Sequence, residues 1–75
     1  MNPLLTDARV LFGRAVRKRR LKLGLSQERL GELAGLHRTY IADVERGARN
    51  LSLQSIIKIA RALGTSPSDL LRGIR

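Results

Sequence analysis

Between Gly24 and Glu45 the chain reads GLSQERLGELAGLHRTYIADVE, and this stretch leaves few options for how it folds. Two helix-length segments flank Gly35-Leu36. A glycine at that point permits the left-handed residue that a sharp helix–helix corner needs, and the leucine after it plugs the corner. The second segment gathers its polar residues on one side. One helix braces, the turn redirects the chain, and the next helix presents a polar face outward. The rest of the chain reads as support for that second helix.

The spacing of apolar residues predicts that support as further helices. A first helix runs from Leu4 to Leu23, with Thr6 or Asp7 as N-cap and Gly24 as its stop. Its buried stripe is Phe12, Val16 and Leu23, and Arg20 falls on the same stripe. Ser26 caps a second helix through the side-chain oxygen, with Leu30, Leu33 and Ala34 inward. The third helix runs from about His37 to Arg46, anchored by Ile41 and Val44 and ended by Gly47. Residues 47–51 form a loop. Ser52 caps a fourth helix through Leu63, with Leu53, Ile56, Ile57, Ala60 and Leu63 apolar and Gly64 as stop. Thr65-Ser66-Pro67 restarts a short fifth helix carrying Leu70, Leu71 and Ile74, with proline in its first turn. The expected fold is all-α: five short helices in a single domain over residues 1–75. The paired helices occupy about 26–46.

A chain of 75 residues holds a small core, and such cores rarely supply more than about 3–5 kcal/mol. That leaves no room for a substrate cavity with a catalytic shell. No nucleophile–base pair, phosphate loop or metal cluster is visible, which argues against an enzyme and against any cofactor. Cysteine is absent, so disulfides and thiolate metal sites are excluded, and the single His37 has no second ligand. The apolar runs are too short for a bilayer, and the N-terminus lacks the basic and apolar regions of a signal peptide. The chain therefore reads as cytoplasmic, with no membrane partner. Its 15 Lys+Arg against 6 Asp+Glu leave a net charge of +9, and arginine predominates. Arginine makes bidentate contacts to phosphate and to base edges, so a polyanion is the expected partner.

At about 100° per residue, Arg38, Thr39, Ala42, Asp43 and Arg46 share one outward arc of the third helix. This face is slim at Ala42 and hydrogen-bonding elsewhere, as a helix entering the major groove of double-stranded DNA requires. Arg38 can chelate a guanine through O6 and N7. Thr39 can offer a hydroxyl to a base or a methyl to a thymine. Asp43 can accept from a cytosine amino group or orient Arg38 or Arg46. Two readings stay open for His37, a helix cap or a contact to phosphate or base. Tyr40, at the edge of the arc, either packs against the second helix or touches the sugar-phosphate wall.

At these residues the chain resembles the lambda-repressor-like helix-turn-helix family, the phage repressor and Cro group also called XRE-type regulators. The resemblance covers about Phe12 to Leu71. It rests on G-L-S-Q (Gly24–Gln27), L-A-G-L (Leu33–Leu36), R-T-Y-I (Arg38–Ile41), V-E-R-G (Val44–Gly47) and A-L-G-T-S (Ala62–Ser66). The run H-R-T-Y-I followed by E-R-G-A-R-N is also similar to the controller proteins of restriction–modification systems. The resemblance implies that Gln27 clamps a phosphate with its backbone N–H, that Arg38, Thr39 and Asp43 read bases, and that Arg49 and Asn50 touch the DNA backbone. It also implies an ion pair between Arg20 and Glu45. An unpaired charge on the Phe12/Val16 stripe would be costly, so the residues independently call for such a partner. Arg-Thr stands where repressors of the group often carry Gln, so their operator sequences do not transfer.

One short reading helix discriminates few base pairs, and members of the family act as two-fold dimers on pseudo-palindromic sites. The expected homodimer interface is the region about 64–75, through Leu70, Leu71 and Ile74. The expected function is a sequence-specific transcriptional regulator that represses, or activates by touching RNA polymerase. An antitoxin of the same fold is the alternative, without a visible toxin-wrapping tail. RNA binding or protein bridging is the third reading. Phe12 and Tyr40 are the only aromatics, which leaves no stacking platform for single-stranded RNA.

Overall fold

The computed structural model describes residues 3–74, with side chains described from Ala8 to Ile74. Five helices follow one another: α1 (Pro3–Lys22), α2 (Gln27–Ala34), α3 (Arg38–Glu45), α4 (Leu53–Ala62) and α5 (Pro67–Leu70). No strand occurs among the described residues. The all-α fold is as the apolar spacing requires.

One device starts three of the helices. Ser26, Ser52 and Ser66 each sit in extended backbone and accept, through Oγ, the N–H of the third residue on. The distances are 2.9 Å from Arg29, 3.1 Å from Ser55 and 3.1 Å from Asp69. Each such cap contributes about 1 kcal/mol. A second device ends four helices, α1 to α4. Leu25, Leu36, Ala48 and Thr65 each donate an N–H to the carbonyl five residues back. Gly35 makes the turn between α2 and α3, with φ 70°. A side chain there would be strained, so the corner is fixed by backbone rather than by contacts. The start of α1 differs from expectation. The helix begins at Pro3, so Thr6 and Asp7 lie within it rather than at its cap.

The core joins Phe12 and Val16 of α1, Leu30 and Ala34 of α2, and Ile41 and Val44 of α3. Ile59, Ala60, Leu63 and Leu70 close it from the other side. Three leucines read as apolar or inward positions instead face outward. Leu23 lies in the turn beyond α1, where the helical period has stopped. Leu33 is 47% exposed because α2 turns its Gly31 side, not its Leu33 side, to the start of α3. A Cβ at Gly31 would lie 2.6 Å from the Leu36 carbonyl oxygen. Leu53 is 72% exposed, as the first residue of α4 on its free turn. Ile59, passed over in the apolar spacing, fills that helix's buried face.

Leu70 also departs from expectation. At 4% exposure it closes the core and is not available to a second copy. A four-residue helix has to bury its one inward side chain to be held at all. Leu71 and Ile74 instead rim an apolar groove of about 230 Å³ floored by Phe12, Leu51 and Ile56.

Candidate nucleic-acid interface

The direction of α3 is set from beneath. Ile41 and Val44 are buried, and the last turn crosses α1 at Gly13. A Cβ at Gly13 would overlap the Val44 carbonyl oxygen and stand 2.8 Å from that of Glu45. The end of α3 is then locked by Arg20 and Glu45. Arg20 Nε donates to Glu45 Oε2 at 2.6 Å and Nη2 to Oε1 at 2.9 Å, with side-chain exposures of 9% and 3%. Nη1 donates to the Leu25 carbonyl at 2.8 Å, and Gln27 Nε2 donates to Glu45 Oε1 at 3.2 Å. The hydrogen bonds to Glu45 raise the Arg20 pKa against the opposing effect of burial. This network joins α1, the start of α2 and the end of α3. No buried side-chain polar atom among the described residues lacks a partner, which is the condition under which a buried pair is tolerated.

Above this scaffold, Arg38, Thr39 and Ala42 of α3 face Gln27 and Glu28 of α2 across an open groove of about 480 Å³. Arg38 and Thr39 are exposed on the first turn. His37 is the N-cap, and its Nδ1 accepts the Thr39 N–H at 3.0 Å, which leaves the ring proton on Nε2. Asp43 and Arg46 close the groove's other end. Both oxygens of Asp43 are taken: Oδ1 accepts from Arg46, and Oδ2 accepts from Arg49 Nη2 at 3.1 Å. These two bonds lower the Asp43 pKa. Arg49 in turn lies over the Tyr40 ring, 4.5 Å from its centroid. Asp43, expected to read a base or to orient Arg38 or Arg46, is bonded to Arg46 and Arg49 and not to Arg38. The reason is reach, since Arg46 is one turn on and Arg49 folds back from the loop after Gly47.

The comparisons with known proteins agree with this geometry. A helix-turn-helix family model matches residues 16–70. The chain is 56% identical over 66 residues to the control protein C.BamHI of Bacillus amyloliquefaciens, across 87% of this chain and 82% of that protein. The chain belongs to the helix-turn-helix family. Among solved structures it is similar to the restriction–modification controller protein C.AhdI from Aeromonas hydrophila. That match has a TM-score of 0.80 and 51% identity, over 81% of this chain and 92% of that one. It is also similar to the phage P22 c2 repressor in complex with a synthetic operator. There the TM-score is 0.77 and the identity 32%, over 83% of this chain and 94% of that one.

Within this helix-turn-helix, α2 and α3 with the Gly35 corner make the two-helix unit, and the residues expected on its reading side fall into three groups. Arg38, Thr39 and Gln27 line the groove directly. Arg46 and Arg49 form a cation cluster held by Asp43, with the Tyr40 ring against Arg49. Asn50 is not brought to either, because its Oδ1 accepts from Arg9 Nη1 at 3.2 Å, which places it beside the apolar groove at Leu71 and Ile74. Gly13, Gly31 and the Leu25 carbonyl escaped sequence reasoning. The two glycines sit beside the buried Phe12 and Leu30, where a missing side chain inside an otherwise regular helix marks a close approach of backbones. Among the described residues no group of side chains has metal-binding spacing, and no helix is long and apolar enough to cross a membrane.

Proposed function

We propose that this chain is a sequence-specific, double-stranded DNA-binding transcriptional regulator that controls a restriction–modification system by occupying a pseudo-palindromic operator as a homodimer. The observation that carries this reading is the open groove along the outer face of α3, with Arg38 and Thr39 free at its rim. An arginine on the first turn of a helix in the major groove can hold O6 and N7 of one guanine, worth about 1–3 kcal/mol against another base. Ala42 keeps the middle of the helix slim enough for approach. Gln27, at the first position of α2, has its backbone N–H free for a phosphate, as helix N-termini allow. Arg46 and Arg49, held ready by Asp43, meet the backbone on the far side. The net charge of +9 draws the duplex in without reading it.

The apolar groove rimmed by Leu71 and Ile74 supports a second copy seated there, in the region 64–75, with half-sites about 34 Å apart. From such a site the dimer, acting in the cytoplasm, excludes RNA polymerase or touches it. The role is binding, not catalysis.

The test is selection of bound sequences from a random duplex pool, repeated with Arg38→Ala. A two-fold symmetric site is expected, with preference lost at one position per half-site in the variant. Binding that is salt-sensitive but blind to sequence would sink the reading.

A further inference from the structure

On the far flank of α1, a cleft of about 360 Å³ opens between α1 and α5. Its floor is Ala15 and Leu70, and its rim carries Lys18, Arg19, Lys22 and Arg72 against one carboxylate, Asp69. That carboxylate is already engaged by Arg72 Nη2 at 2.6 Å and by Thr65 Oγ1 at 3.2 Å. Arg19 is engaged too, donating to the Leu63 carbonyl at the end of α4 at 3.1 Å. Lys18 and Lys22 have no carboxylate partner among the described residues. They are two of the chain's three lysines. Cations in the last turn of α1 interact favourably with the helix dipole, which accounts for Arg19 and Lys22 but not for a cleft that adds Lys18 and, from the turn after α5, Arg72.

Beside the cleft the outer face of α1 is not simply polar. Leu11 and Leu21 are 42% and 55% exposed. At about 100° per residue they share an arc of about 80° with Arg14 and Lys18. The face therefore alternates apolar and cationic positions, and it continues the apolar floor of the cleft. It also lies away from the reading helix. Gly13 and Arg20 mark the side of α1 that meets α3, and Ala15 and Lys22 are each two residues on, about 160° around the helix. The cleft and the groove at α3 have no residue in common.

We propose that this cleft docks an acidic amphipathic segment of a partner protein, and that it does so while α3 is on DNA. Charge complementarity selects the sign of the ligand. The apolar floor and the exposed leucines select a peptide over a nucleic acid, because a duplex backbone brings phosphates and no apolar side chains to fill the concavity. The site is separate from the groove at Leu71 and Ile74, which lies beyond the end of α5 and shares no lining residue with the cleft. Dimer formation and docking are therefore compatible.

The experiment uses a fluorescent helical peptide of about 16 residues built from Glu and Leu at helical spacing, and its counterpart with Gln for every Glu. Anisotropy is recorded on the free protein and on the protein bound to duplex DNA. The acidic peptide should bind both with a Kd on the order of 10–100 µM, and the Gln peptide about tenfold more weakly. Lys18→Glu with Lys22→Glu should weaken the acidic peptide by about tenfold, with a smaller loss of DNA affinity that operator and random duplex share, since only the net charge has changed. Arg38→Ala should leave peptide binding intact. If the charge reversal lowers Tm, Lys18→Gln with Lys22→Gln reads the same loss in a folded chain. Equal affinity for the two peptides overturns the proposal. So does a loss of DNA affinity in the lysine variants that matches the loss of peptide binding, or release of the peptide by a second duplex, since either makes the cleft a nucleic-acid surface.

Discussion

The C-terminal turn of α3 carries two arginine–carboxylate groupings of similar chemistry and opposite surroundings. Arg20 and Glu45 are buried, bidentate and fully satisfied by Leu25 and Gln27. Asp43, Arg46 and Arg49 stand at the surface, with the Arg46 side chain 68% exposed. In the first, both ions are shielded from water and all their bonds are made within the protein, so the pair defines the angle of α3 on α1. In the second, water and phosphate both compete for the arginines, so the bonds orient the cations without committing them. The same functional groups thus act as a fastening where they are dry and as a poised contact where they are wet.

The largest effect should come from breaking the buried pair. Arg20→Ala leaves Glu45 charged and buried with Gln27 as its remaining side-chain donor. Such an orphan costs about 3–5 kcal/mol. That is most of the stability a core of this size commands, so urea denaturation should show a chain largely unfolded at 25 °C without DNA. A change below about 1 kcal/mol would put the pair in the same class as an exposed one.

Gly13→Ala sharpens the same point through backbone rather than charge. The added methyl meets carbonyl oxygens of Val44 and Glu45, and overpacking against rigid backbone costs about 1–3 kcal/mol. The loss should appear in the urea midpoint and, because α3 is displaced, in DNA affinity as well. An unchanged midpoint would mean that α1 and α3 separate freely here, and that Arg20 alone does not set their angle.

Arg38→Ala acts on the other side of the comparison. The side chain is exposed and makes no bond within the described residues that folding depends on. Stability should stay within about 0.5 kcal/mol. Operator affinity should fall by about 1–3 kcal/mol for each half-site, confined to one base position. Equal losses on operator and random duplex would reassign Arg38 to the phosphates.

Much of this arrangement is legible in the sequence, and what is not has a common cause. Serine caps, glycine stops and the Ile41/Val44 anchor are local, so spacing along the chain reveals them. Arg20 was legible because a charge on an apolar stripe demands a partner. Leu33 reads as inward and Gly31 goes unread, because rotation of α2 about its axis is decided by the neighbour it meets, and a glycine that makes room shows no side chain to count. Arg49 and Asn50 adjoin in the loop, yet one folds back to Asp43 and the other reaches Arg9. No periodicity describes a loop's path, so their separation waited on the structure.

The smallest effect belongs to Asp43, and it is the one that tests whether a wet ion cluster organises anything. Arg46 and Arg49 hold the carboxylate below the ordinary range. A depressed folded-state pKa means that the pairing is fully present above the ordinary value, near about 3.9, and is lost as pH falls through the lowered one. Binding near neutral pH should therefore be insensitive to this group's titration. By NMR, the Asp43 carboxyl should titrate below that ordinary value, and Arg46→Ala or Arg49→Ala should each move it back up. Asp43→Asn should leave the melting temperature unchanged but remove a negative charge from the DNA face, so affinity for random duplex rises. Released from Asp43, the two arginines lose their set positions, and affinity for the operator rises less. The ratio of operator to random binding should fall by less than about tenfold, a smaller change than the base-specific loss at Arg38. A constant ratio would show that the arginines find the backbone unaided, and that only the buried pair positions anything.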